Sequence, residues 1–144
     1  RGQKIDIVFL SHVLEHLPDP IETLNDLWKL LPSGGLIGIQ VPGIFSISEN
    51  YSHDLLKYIQ NSHLYHFTAN TLSICLNVAG FEIVECDENV TCVAKKVDRK
   101  ETDTNWNPHH GDEVYNYLQK TEQGRKTYEI KKRIASKLNK IIRF

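Results

Sequence analysis

The chain has 144 residues, 40% hydrophobic and 24% charged, a makeup that suits one ordinary soluble domain with a real core and excludes a disordered or bilayer-spanning class. No apolar run approaches the roughly 20 residues a transmembrane helix needs, and the opening RGQKID lacks the layout of a secretory signal, so a cytoplasmic setting is expected. The formal net charge of −1 conceals a split: residues 1–96 carry six Lys+Arg against eleven Asp+Glu, net −5, whereas residues 97–144 carry eleven against seven, net +4.

Two further features of composition carry expectations. The chain has no methionine and begins at Arg1, which leads to the expectation that it is a piece of something longer. Its three cysteines, Cys75, Cys86 and Cys92, form no CxxC pair, so reduced, packed thiols are expected rather than a zinc or disulfide framework.

Taken in chain order, Ile5 to Leu10 (IDIVFL) is a short, β-branched apolar run that predicts a strand covered on both faces. Pro18 and Pro20 mark a turn into a helix, with Asp19 as its N-cap and Pro20 at the first helical position. Ile21, Leu24, Leu27, Trp28 and Leu31 recur every three or four residues and give that helix one apolar face, which PSGG at 32–35 ends. Leu36 to Val41 (LIGIQV) predicts a second buried strand, parallel to the first in a βαβ unit. Leu55, Leu56 and Ile59 suggest a short helix. Thr68 then caps a helix whose Leu72, Leu76 and either Val78 or Ala79 face inward, with Gly80 at its left-handed C-terminal position. Phe81–Cys86 and Val90–Ala94 read as an antiparallel hairpin around Asp87, Glu88 and Asn89.

The polar, turn-rich stretch 97–112 reads as a linker, in which His109 and His110 are expected to be solvated. A helix beginning near Val114, open to interruption at Gly124, completes the chain. The expected division is therefore a domain over 1–96, a linker over 97–112 and a basic amphipathic helical tail over 113–144.

In their order and spacing, DIVFLSHVLEHLPDP, LLPSGGLIGIQVP, HLYHFTANTL and AGFEIVE resemble the C-terminal half of a class I S-adenosylmethionine-dependent methyltransferase over roughly residues 4–96. The resemblance implies an α/β, Rossmann-like sheet of seven strands whose last is inserted antiparallel. Residues 5–10 take the place of the fourth strand, 36–41 of the fifth, and the hairpin of the sixth and seventh. It also implies S-adenosylmethionine as cofactor. No glycine-rich cofactor loop occurs in this sequence, so the chain is expected to hold only part of the cofactor site and to need the N-terminal half of the same protein as its partner.

Ligands of open α/β sheets bind beyond the carboxyl ends of the strands, where Leu10, Ser11 and His12 fall. The resemblance puts Leu10 and Ser11 on the cofactor side and His12, Glu15 and His16 near the acceptor. Three readings of SHVLEH stand side by side. Glu15 and His16 form a hydrogen-bonded pair that fixes the loop; or His16 or His12 acts as a general base; or His12, Glu15 and His16 hold a metal ion. Similar enzymes that act on ubiquinone precursors or small-RNA ends carry ExxEH at this position for a divalent ion. His12 replaces the first glutamate here, which disfavours Mg²⁺ and would favour a softer ion such as Zn²⁺. His63 and His66, in HLYHF, are candidates for a further ligand, a substrate contact or packing.

The expected activity is methyl transfer to oxygen or nitrogen of a small molecule or glycan. The rival is a non-catalytic module whose tail recruits a partner or a membrane surface. A nucleic-acid substrate is disfavoured by the acidic charge of residues 1–96. Residues 125–144 hold eight Lys+Arg against Glu129 alone, a pattern open to packing on the domain, to membrane contact or to nucleic acid.

Overall fold

The computed structural model of the chain describes residues 5–97 and 107–142, with side chains as far as Leu138. Residues 98–106 of the expected linker, and the side chains of Lys140, Ile141, Ile142, Arg143 and Phe144, lie outside the described residues. The chain divides into two compact units, one holding the described residues of Arg1–Ile44 and Asn61–Asn107, the other those of Phe45–Gln60 and Pro108–Phe144.

The first unit opens with β1 (Ile7–Ser11) and a 3-10 turn (Leu14–His16), followed by helix α1 (Pro20–Leu30) and β2 (Leu36–Gln40). The start of α1 follows the sequence expectation: Asp19 Oδ1 accepts from the Glu22 amide at 2.8 Å, and Pro20 takes the first helical position. Strands β1 and β2 pair in parallel, Ile7 beside Leu36 through Ser11 beside Gln40, so both carboxyl ends finish on the same edge.

In the second unit, α2 (Ile47–Asn50) and α3 (Leu55–Tyr58) are single turns. The chain then returns to the first unit for α4 (Ala69–Val78), β3 (Phe81–Cys86) and β4 (Thr91–Lys96). A reciprocal capping box between Thr68 and Thr71 begins α4, and Gly80, at φ +92°, makes the left-handed exit. The sheet order is β1-β2-β4-β3, with β4 antiparallel to both neighbours. The hairpin's turn is fixed by Asp87, whose Oδ1 accepts from the Thr91 amide at 2.9 Å.

One face of this sheet carries the core. Val8, Leu10, Ile37, Ile39, Cys92 and Ala94 pack with Leu24 and Leu31 of the α1 region and with Leu72 and Leu76 of α4. Trp28 ties α1 to the far end of the unit. Its Nε1 donates to the carbonyls of Gly80 and Val97, at 3.0 and 3.1 Å, and Lys96 Nζ lies 4.0 Å from the ring centroid.

Four expectations are corrected. Strand β1 is not covered on both faces: it alternates, with Ile7 65% and Phe9 61% exposed, because α1 and α4 cover a single side. Cys86 and Cys92 are not free thiols, since the hairpin register sets them directly opposite, 4.0 Å apart at Cα, and they are joined as a disulfide. Gly124 does not interrupt the last helix, α5, which runs unbroken over His110–Ile142; a helical glycine costs only about 1 kcal/mol. A Cβ there would meet the His53 ring at 3.1 Å, so the missing side chain admits a close neighbour. Finally, His110 is buried rather than solvated, edge-on to Phe45 and 3.3 Å from Glu113.

Candidate active site

The parallel strands end side by side, and the first polar groups beyond them are Ser11, His12 and Gln40. Ser11 Oγ donates to Gln40 Oε1 at 3.1 Å, and the His12 amide donates to the Gln40 carbonyl at 2.8 Å. His12 has φ +53°, a left-handed conformation costly for a residue with a Cβ. It turns the chain sharply off the strand, and the His12 side chain is 58% exposed.

The 3-10 turn that follows buries Leu14 and Glu15, the glutamate to 1% exposure. Two amides hold the turn, Leu64 and Tyr65 both donating to the Glu15 carbonyl, at 2.8 and 3.2 Å. Tyr65 Oη donates to the Pro18 carbonyl, and His16 Nδ1 lies 2.7 Å from the Ser62 carbonyl. Residues 62–65 are thereby stapled over residues 15–18.

This arrangement concentrates unspent polarity on Glu15. Among the described residues neither carboxylate oxygen has a hydrogen-bond partner, although both are buried. An unpaired carboxylate in such a place is strongly unfavourable unless a cation or donor faces it. Histidines do face it: His12 Nδ1 lies 3.5 Å and His16 Nε2 3.7 Å from Glu15 Oε1. The Ser62 carbonyl can only accept, so His16 Nδ1 carries the proton of that contact. His16 Nε2 is left pointing toward the carboxylate.

His63 closes the group, its ring centroid 4.8 Å from that of His16. One ligand atom from each of Glu15, His16 and His63 falls within 4.8 Å of the others. The trio suggested by sequence was His12, Glu15 and His16; His63 joins Glu15 and His16 in a second grouping, while His12 keeps its 3.5 Å contact with Glu15 from a side chain that is 58% exposed. His66 stands behind, 6.1 Å from the His63 ring, and burial followed by the charge of His63 holds its imidazole below the usual range.

The residues expected on the cofactor side differ in what they offer. Ser11 is exposed at the strand end, whereas the Leu10 side chain packs against the core. Gln40, which organises both Ser11 and His12, was missed by sequence reading. Its signal in the sequence was to be the one polar side chain in the apolar run Leu36 to Val41.

Residues 1–86 match the protein family described as "Methyltransferase domain". The tRNA U34 carboxymethyltransferase of Wolinella succinogenes is 36% identical over 85 residues, 58% of this chain and 31% of that protein. The ubiquinone biosynthesis O-methyltransferase of Histophilus somni is 24% identical over 95 residues, 56% of this chain and 40% of that protein. A solved structure titled "PigF with SAH" superposes with a TM-score of 0.49 at 17% identity, over 64% of this chain and 30% of that one. The chain belongs to the methyltransferase-domain family, the class I S-adenosylmethionine-dependent methyltransferases, whose methyl donor is S-adenosylmethionine. It spans about a third of the first of these curated relatives and two fifths of the second. No helix among the described residues is long and apolar enough to cross a membrane.

Proposed function

We propose that this chain supplies the acceptor-side wall of a methyltransferase within a longer protein, one that moves the methyl group of S-adenosylmethionine to oxygen or nitrogen of a small molecule or glycan. The observation that carries this reading is the pair of buried Glu15 and exposed His12, 3.5 Å apart at the carboxyl end of β1. The cofactor, when bound, brings an already electrophilic methyl group. What is left to the protein is to align the acceptor, exclude water and remove a proton.

Glu15 attracts the Nδ1–H of His12 and so favours the tautomer whose lone pair lies on Nε2, turned away from the carboxylate. From there Nε2 takes the proton of an acceptor hydroxyl or amine as the methyl group is transferred. His16 is worse placed to take that proton, since its Nδ1 is committed to Ser62 and its Nε2 faces Glu15 rather than an acceptor. On the cofactor side, Ser11 spends its hydroxyl proton on Gln40 and keeps lone pairs free to accept from an ammonium group. Leu10 has only its backbone to contribute. These groups fit one wall of the cofactor site.

The acidic balance of residues 1–96, net −5, supports a small acceptor over RNA, which a cationic face would serve better. The test is S-adenosylhomocysteine release by the full-length protein, offered phenols, glycosides and bulk tRNA in turn. Release with phenols or glycosides that falls about 100-fold or more in a His12→Ala variant, with a changed pH profile, is the expected result. Release with tRNA alone would overturn the substrate class, and release with none of them would leave a binding module.

A second reading rests on the convergence of Glu15, His16 and His63. One carboxylate and two imidazoles suit a divalent ion such as Zn²⁺, which would neutralise Glu15 and lend positive charge to an acceptor oxygen. Elemental analysis after Zn²⁺ loading separates the two readings. If the second holds, His63→Ala loses the metal while His12→Ala keeps it.

A further inference from the structure

We infer that the C-terminal half of α5 is a docking helix for the surface of an anionic lipid bilayer. From Lys126 to Leu138 no residue is buried, and only Glu129 is partly so. Ile130, Ile134 and Leu138 recur at every fourth position, and are 59%, 53% and 52% exposed. Residues spaced by four share one face of a helix. They form a continuous aliphatic stripe that none of the described residues covers.

Charge identifies the occupant. Lys126, Lys131, Lys132, Arg133 and Lys137 stand against Glu129 alone over these positions. On a helical projection Lys131 borders the stripe on one side, and Lys126, Arg133 and Lys137 border it on the other. A second copy of this helix would bring those rims together and force like charges into contact. Nucleic acid would meet cations at the rims but three aliphatic side chains at the centre, where it offers them no apolar surface. A bilayer with anionic headgroups satisfies both parts. The aliphatic side chains enter the boundary with the acyl chains, and the lysine stems reach outward to phosphate.

The helix also gains from being bound, because an unpacked segment of this length is only marginally helical in water. The surface involves no residue of the candidate active site, so it stands or falls apart from the methyl-transfer reading.

Co-sedimentation of the full chain tests it, with vesicles of equal parts phosphatidylcholine and phosphatidylserine against vesicles of phosphatidylcholine alone. Binding to the anionic vesicles, weakened by salt, is expected. Combined Ile130→Ala, Ile134→Ala and Leu138→Ala should weaken it about tenfold or more. Alanine favours helix, so circular dichroism should show that α5 survives. Combined Lys131→Glu and Lys137→Glu should abolish preference for the anionic surface. Equal binding to both vesicle types, no binding, or indifference to the alanine variant would overturn the inference. A salt-sensitive complex with duplex DNA as strong as that with vesicles and unchanged by the alanine substitutions would reassign the face to nucleic acid. A dimer in sedimentation equilibrium that the same substitutions dissolve would reassign it to a second copy.

Discussion

Among single residues, cysteines show most plainly what local sequence leaves undetermined. Nothing in the spacing of Cys75, Cys86 and Cys92 distinguishes them, yet the hairpin register pairs two and leaves the third as the free thiol. Burial pushes the Cys75 thiol up, the larger effect, against a smaller opposing one from its own backbone hydrogen bond. The folded chain therefore keeps this proton at a pH where the unfolded chain has lost it. With more protons bound to the native state, stability falls as pH rises through about 8.5, the unfolded thiol's range. Denaturant titrations should show that decline, and a Cys75→Ser variant should flatten it. Glu15 teaches a similar lesson in the opposite direction. SHVLEH announced that a carboxylate and two imidazoles were close in sequence, but not that the carboxylate would be buried with no hydrogen bond from the described residues, nor that His63 would approach it from far along the chain.

Elements were legible wherever their ends carry chemistry. Asp19-Pro20 and Thr68 both start helices because each side chain satisfies an amide that the first turn leaves without a partner. Thr68 does so while buried and in reciprocal contact with Thr71. Thr68→Ala should cost about 1–2 kcal/mol in chemical denaturation, and Thr68→Ser should recover most of it. A loss shared equally by Ser and Ala would mean that the methyl group, not the cap, is what matters. Helix α5 was harder to delimit, because glycine's propensity says nothing of neighbours. Gly124 stays helical and accommodates His53 against its backbone.

At the level of the whole molecule, the first unit's sheet is one-sided among the described residues. Helices cover Val8, Leu10, Ile37 and Ile39, and leave Ile7 and Phe9 facing out, with Phe9 lying over the bare Cα of Gly38. An exposed apolar edge strand invites pairing with another chain. Ile7→Lys should leave unfolding stability unchanged within about 0.5 kcal/mol, as for other exposed positions, and should reduce self-association in light scattering. A marked loss of stability would show instead that Ile7 is covered in solution.

The amino-acid sequence by itself determined the succession of elements and the family. Periodicity, caps and turn residues act within a few positions of one another, and the order of LSHVLEHLPDP, LIGIQVP and AGFEIVE carries the methyltransferase domain. Only the tertiary structure decided which face of β1 is bare, which cysteines pair, and that His63 comes up to Glu15 and His16. Those outcomes depend on strand register and on a loop held by its own hydrogen bonds, contacts between residues far apart in the chain that no local pattern encodes.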